Sequence, residues 1–236
     1  MRRSVYLLLA FASLLLAACG RTPVGEPEDP EVLELRAKTP IPLMSLAGTT
    51  WVMGDCLHTV KLDERGIIIP GETAPVLDSP AYPWGPYYSA WSFDDATTTA
   101  YVCFRFPEAG KPTKEMWFKK PATANYTVDK ENKTVTAPAF GLGQNPMDIY
   151  IFNPEEIVLL SARSERYCAL SLRPASSREQ TDLAAAPAPG EAGFDELAEA
   201  VLVAVEQSGR DQGFSESEAV QLKEEFAKVF KSTFGE

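Results

Sequence analysis

The chain reads as mainly β: a small antiparallel β-barrel or sandwich, followed by a linker and a C-terminal α-helical hairpin. Three observations predict this. Between residues 46 and 173, short alternating apolar and polar runs are cut by turn residues about every eight to twelve positions, the spacing of sandwich and barrel strands. Residues 174–193 then lose all periodicity and turn to Pro174, paired serines and Ala184-Ala185-Ala186-Pro187-Ala188-Pro189-Gly190, the composition of a spacer. From Phe194 onward the apolar residues recur at three and four, the period of a helix.

Within the β region the runs follow in order. Thr49–Met53 is the first, and Thr59–Leu62 and Gly66–Ile69 flank a turn at Asp63-Glu64-Arg65. Tyr87–Phe93 and Thr99–Phe106 flank Asp94-Asp95-Ala96-Thr97. In the second of these, Ala100, Val102, Phe104 and Phe106 share one face and Tyr101, Cys103 and Arg105 the other, which predicts one face in and one face out. Lys114–Lys120 places Met116 and Phe118 inward with Trp117 opposite. Tyr126–Asp129 and Thr134–Ala137 form one hairpin, Asp148–Phe152 and Ile157–Arg163 another, and Arg166–Leu172 closes the domain. Short connections imply antiparallel neighbours, since no helical crossover is available between strands.

The two helices have their own signals. Phe194–Gln207 carries Leu197, Val201, Leu202 and Val205, with Gly209 placed to stop it. Ser215-Glu216-Ser217-Glu218 is a capping box, and Phe214 before it is placed to staple onto Ala219. Ala219, Leu222, Phe226, Val229, Phe230 and Thr233 then keep the helical period. A pair this small must bury its apolar face in itself, on the β domain or in a partner.

The start of the chain is of a different kind. Arg2 and Arg3 precede an apolar run from Val5 to Ala18 broken only by Ser13. This run is about fourteen residues long, short of the roughly twenty that a membrane helix needs. A basic beginning, a short apolar core and small residues before a cut mark an export signal over residues 1–18. The closing Leu16-Ala17-Ala18-Cys19 resembles the lipobox of bacterial lipoproteins. That resemblance implies cleavage between Ala18 and Cys19, a diacylglyceryl group on the Cys19 sulfur, and often an acyl chain on the new amine. Gly20 stands where an Asp would imply inner-membrane retention, so the resemblance also implies the outer membrane if the cell has one. Residues 19–45 then read as a tether, with three prolines and three acids between Thr22 and Pro30 and little that is apolar.

Charge and cysteines narrow the function. The chain has 22 basic and 33 acidic residues, and cleavage after Ala18 removes two arginines and no acid. So acidic a body argues against nucleic acid as a partner and against electrostatic adhesion to anionic headgroups. Membrane attachment is then expected through the N-terminal lipid, whose chains contribute about 0.8 kcal/mol per buried CH₂. Besides Cys19 there are Cys56, Cys103 and Cys168. Export favours one disulfide with one thiol left over; three pairings are open, and Cys56–Cys168 is favoured because these two lie in the first and last strands, neighbours if the sheet closes. Their spacing does not suit zinc, and no metal or cofactor is expected.

Catalytic signals are sparse. His58 is the single histidine, and no nucleophile elbow, P-loop or dinucleotide fingerprint occurs. Asp94-Asp95 and Glu155-Glu156 are acid pairs in turns, where solubility accounts for them. The expectation is a binding or interaction module without enzymatic activity, with a hydrolytic enzyme as the less favoured alternative. Ser79–Tyr88 packs four aromatics and three prolines into ten residues, and Tyr82, Trp84, Tyr87 and the nearby Trp91 are the candidate binding residues. Stiff, polar-tipped rings suit an envelope protein or a glycan, and equally suit the covered end of a core. The opening Gly48-Thr49-Thr50-Trp51 resembles the Gly-x-Trp start of lipocalin-like barrels, with one extra residue, and the first strand of META-type domains. The lipocalin resemblance implies a rival function, carriage of a small apolar ligand, with Val102, Phe104, Phe118, Ile149, Ile151 and Leu159 lining its cavity.

Overall fold

The computed structural model describes residues 45–53, 58–69, 74–75, 88–106, 114–140, 145–163 and 166–234. Its strands are β1 (Thr49–Met53), β2 (His58–Val60), β3 (Ala74–Pro75), β4 (Tyr88–Phe93), β5 (Thr97–Phe106) and β6 (Lys114–Asn125). After these come β7 (Thr127–Asp129), β8 (Thr134–Thr136), β9 (Met147–Phe152), β10 (Ile157–Arg163) and β11 (Arg166–Pro174). Three helices follow: α1 (Ser177–Ala184), α2 (Phe194–Asp211) and α3 (Glu216–Phe234). The fold is mainly β, an antiparallel sheet followed by a helical segment, as alternation and turn spacing require.

Nine strands run in the hydrogen-bonded order β6-β5-β4-β1-β11-β10-β9-β8-β7, and β2 pairs with β11 and β3 off this path. First and last strands are neighbours, with Met53 opposite Leu172. β6 and β7 stand at opposite ends of this order, yet only Tyr126 separates them in the chain. A flat sheet cannot satisfy both conditions, so this one curls into a half-barrel. Tyr126 fixes that corner: its N–H donates to the Ala96 carbonyl, its hydroxyl to the Asp94 carbonyl, and its ring meets Phe93 edge-on at 5.0 Å.

By packing, the chain divides into two compact units. Of the described residues, the first takes those from 45 to 75 with Ala90–Thr99 and Thr123–Ala175. Cross-strand register places Trp51 opposite Trp91, Ile157 opposite Leu172 and Leu159 opposite Leu170, and all six are buried. On the reverse face Val60, Val158, Leu160 and Ala169 form a second buried group, flanked by Leu62, Ile68, Tyr150, Ile151 and Tyr167. The turn over that group depends on Asp63, whose Oδ1 accepts the N–H groups of Arg65 and Ile67. Gly66, at φ +74°, supplies the left-handed residue that this turn needs.

A β-bulge decides which residues of β9 face which way. Leu159 pairs with Ile149 while the preceding Val158 pairs with Ile151, so Tyr150 is extra. Simple alternation puts Ile149 and Ile151 together; the bulge puts Ile149 with Leu159 and turns Ile151 to the Val158 face. Tyr150 goes the same way, and its hydroxyl accepts the Ile68 N–H at 3.2 Å.

Of the described residues, the second unit joins Tyr88, Ser89 and those of Ala100–Ala122 to residues 176–234. Its core is a cluster of six phenylalanines: Phe104 from β5, Phe118 from β6, Phe194 from α2, and Phe226, Phe230 and Phe234 from α3. Most of its ring pairs lie edge-on or tilted at centroid separations within aromatic contact range, as quadrupoles prefer. The helical face therefore finds its cover on the β5–β6 hairpin. β5 departs from the one-face-in expectation, because Tyr101, Val102, Cys103, Phe104 and Phe106 are all buried. Trp117, expected opposite the core, is buried as well.

Residues 174–193 are not a structureless spacer. Ser176 caps α1, its hydroxyl accepting from the Glu179 N–H while the Glu179 carboxylate accepts from the Ser176 N–H. Ser176-Ser177-Arg178-Glu179 has the same S-x-x-E spacing that announces α3, and the alanines and prolines after it masked that signal. Those alanines and prolines are used: Ala186 and Ala188 are buried, and the Pro187 carbonyl accepts the Lys119 N–H of β6. β6 ends the strand order, and prolines beside it and within it at Pro121 block further strand pairing.

Gly209 does not stop α2, which runs on to Asp211. The stop is Gly213 at φ +87°, whose N–H donates to the Arg210 carbonyl while the Phe214 N–H donates to the Gly209 carbonyl, a Schellman ending. Gly209 is buried because α3 passes close to it: a Cβ there would meet Leu222 Cδ2 at 3.1 Å, Phe214 Cδ2 at 3.3 Å and the Ala219 Cα at 3.6 Å. Gly209→Val is therefore expected to destabilise the second unit by about 1–3 kcal/mol through overpacking, read as a lower denaturant midpoint. The predicted capping box of α3 is present, with the Ser215 N–H donating to Glu218 Oε2 at 2.9 Å.

Candidate functional site

The sequence candidates divide by where they fall. Ala18 and Cys19, the cleavage and lipid-attachment residues, lie outside the described residues, as do Tyr82, Trp84, Tyr87 and Cys56. Trp91 is described, and it is not a surface residue. It is 3% exposed on β4, opposite Trp51, and its Nε1 donates to the Ala139 carbonyl at 2.8 Å. An indole with its one donor satisfied and its ring in the core helps to hold the fold together. Trp51 is buried likewise, with Nε1 donating to Thr49 Oγ1.

The acid pairs are turn residues. The Asp94 N–H donates to the Thr97 carbonyl, closing the β4–β5 turn, and Asp95 is exposed beside it. In the β9–β10 turn, Asn153 Oδ1 accepts the N–H groups of both Glu155 and Glu156. Neither pair forms a buried couple of the kind that sets general acid against general base. His58, on β2, stands in register with Pro75 and Ala169. Among the described residues no group of three or more His, Cys, Asp or Glu side chains is arranged to hold a metal ion.

The thiols are sequestered. Cys103 and Cys168 are both fully buried, and no disulfide joins them. Cys168 stands opposite Thr59, and the expected pairing with Cys56 involves a residue outside those described. Burial pushes the Cys103 thiol far above the ordinary cysteine range, and the Glu115 carboxylate pushes in the same direction. A buried thiol that holds its proton this firmly is a poor nucleophile. Cys103 is expected to stay unlabelled by a thiol reagent at neutral pH until denaturant is added, as peptide mapping would show.

Lys120, which no sequence motif singles out, is a half-buried cation in the second unit. Its ammonium donates to the Thr233 carbonyl at the end of α3 and lies 5.3 Å from the Phe234 ring centroid. Burial lowers its pKa below the ordinary lysine value. A cation at a helix C-terminus complements the dipole, so its role is to fasten the last turn of α3 to β6. Nothing in the strand pattern separates it from Lys119, and only the helix end identifies it.

Other charges serve the α2–α3 pair. Arg210 bridges Glu206 and Glu216, and Lys223 reaches Glu199 at 3.0 Å and Glu206 at 3.6 Å. The Arg210 hydrogen bond holds Glu216 below the ordinary glutamate range, and Ser215 does the same for Glu218. Residues 176–236 nonetheless carry 13 acidic against five basic residues. No helix among the described residues is long and apolar enough to cross a membrane.

Of the six residues that a lipocalin-like carrier would use for its cavity, Val102, Phe104 and Phe118 belong to the second unit and Ile149, Ile151 and Leu159 to the first. Phe104 and Phe118 are packed against phenylalanines from α2 and α3, and the bulge in β9 separates Ile151 from Ile149 and Leu159. Compared with known protein families, curated proteins and solved structures, the chain matches none.

Proposed function

We propose that this chain is an exported lipoprotein, held on an envelope membrane by a lipid on Cys19, whose β fold serves as a binding or interaction module. The observation that carries the reading is Leu16-Ala17-Ala18-Cys19 at the end of a short apolar run behind Arg2 and Arg3. Two or three long acyl chains at about 0.8 kcal/mol per CH₂ make release negligible, which a body with this excess of acid requires. The acidic helical segment supports the division of labour: attachment belongs to the N-terminus, and the folded part faces away from the headgroups. Gly20 directs the protein to the outer membrane where there is one. The module's partner is an envelope protein or glycan.

Labelled palmitate and fractionation test this reading together. The native chain is expected to take up label and sediment with membranes, and Cys19→Ser to lose both while keeping its folded spectrum. Label retained in Cys19→Ser, or a native chain free of label, would count decisively against lipid attachment at this residue.

A further inference from the structure

We draw no further inference here: the strongest candidate, the exposed Val203, Phe214 and Val220 on the acidic α2–α3 pair, is an apolar face with nothing in the structure to show what covers it.

Discussion

A chain ended after Ala175 is expected to lose the fold of its β5–β6 hairpin and to aggregate or bind a hydrophobic dye strongly. The reason lies in what covers Phe104 and Phe118. Their ring partners are Phe194, Phe226, Phe230 and Phe234, all of which the truncation removes. Alternation puts Val102, Phe106 and Met116 on the same hairpin face, and all three are buried in the intact chain. Burial of one such side chain contributes about 1.5–3 kcal/mol, so losing four aromatic partners forfeits an amount comparable with the net stability of a whole domain. Lys120 would also lose the helix end that its ammonium caps. A helical appendage on a loose spacer would behave differently: the truncated chain would stay monomeric, with unchanged near-UV dichroism. Size-exclusion chromatography and dye binding separate the two outcomes.

Phe118→Ala is the second large effect, expected to cost about 3–5 kcal/mol, the range for emptying a buried aromatic site. Phe118 has no exposed surface and touches four other rings of the cluster. Because those rings come from three different elements, no single neighbour can move in to refill the space. Phe214→Ala serves as the comparison. That residue is 41% exposed, and its replacement should cost less than Phe118→Ala. Equal losses in denaturant midpoint at the two positions would contradict the phenylalanine cluster as the core of the second unit.

How far the residues announce this fold depends on how local the deciding physics is. Most strand positions were legible because a half-buried strand must alternate, and Ile157–Arg163 matches its expected span to the residue, whereas the run Gly66–Ile69 makes only the single bridge from Ile68 to Leu62. The start of α3 was legible because a capping box is a contact within four residues. The bulge in β9 was not: it is an offset against β10, and Met147–Phe152 alone contains no sign of an extra residue. Both-face burial of β5 was equally hidden, since it requires helices that arrive some seventy residues later or more. The Ala/Pro stretch misled for a related reason. Composition cannot tell a free spacer from prolines set beside a strand edge, and only the bond from Lys119 to Pro187 makes the distinction. Trp91 shows the same limit at the candidate site. An aromatic beside a proline-rich run gives no sign in the sequence that its donor goes to the Ala139 carbonyl. Lipid attachment stands apart, because its signal is a short linear motif and needs no packing to be read.

The most direct measurement is the mass of the N-terminal peptide of the protein recovered from its native envelope. The account predicts a chain that begins at Cys19 and carries a diacylglyceryl group on its sulfur. A peptide that still begins at Met1, or one that begins at Cys19 with a bare thiol, would contradict it.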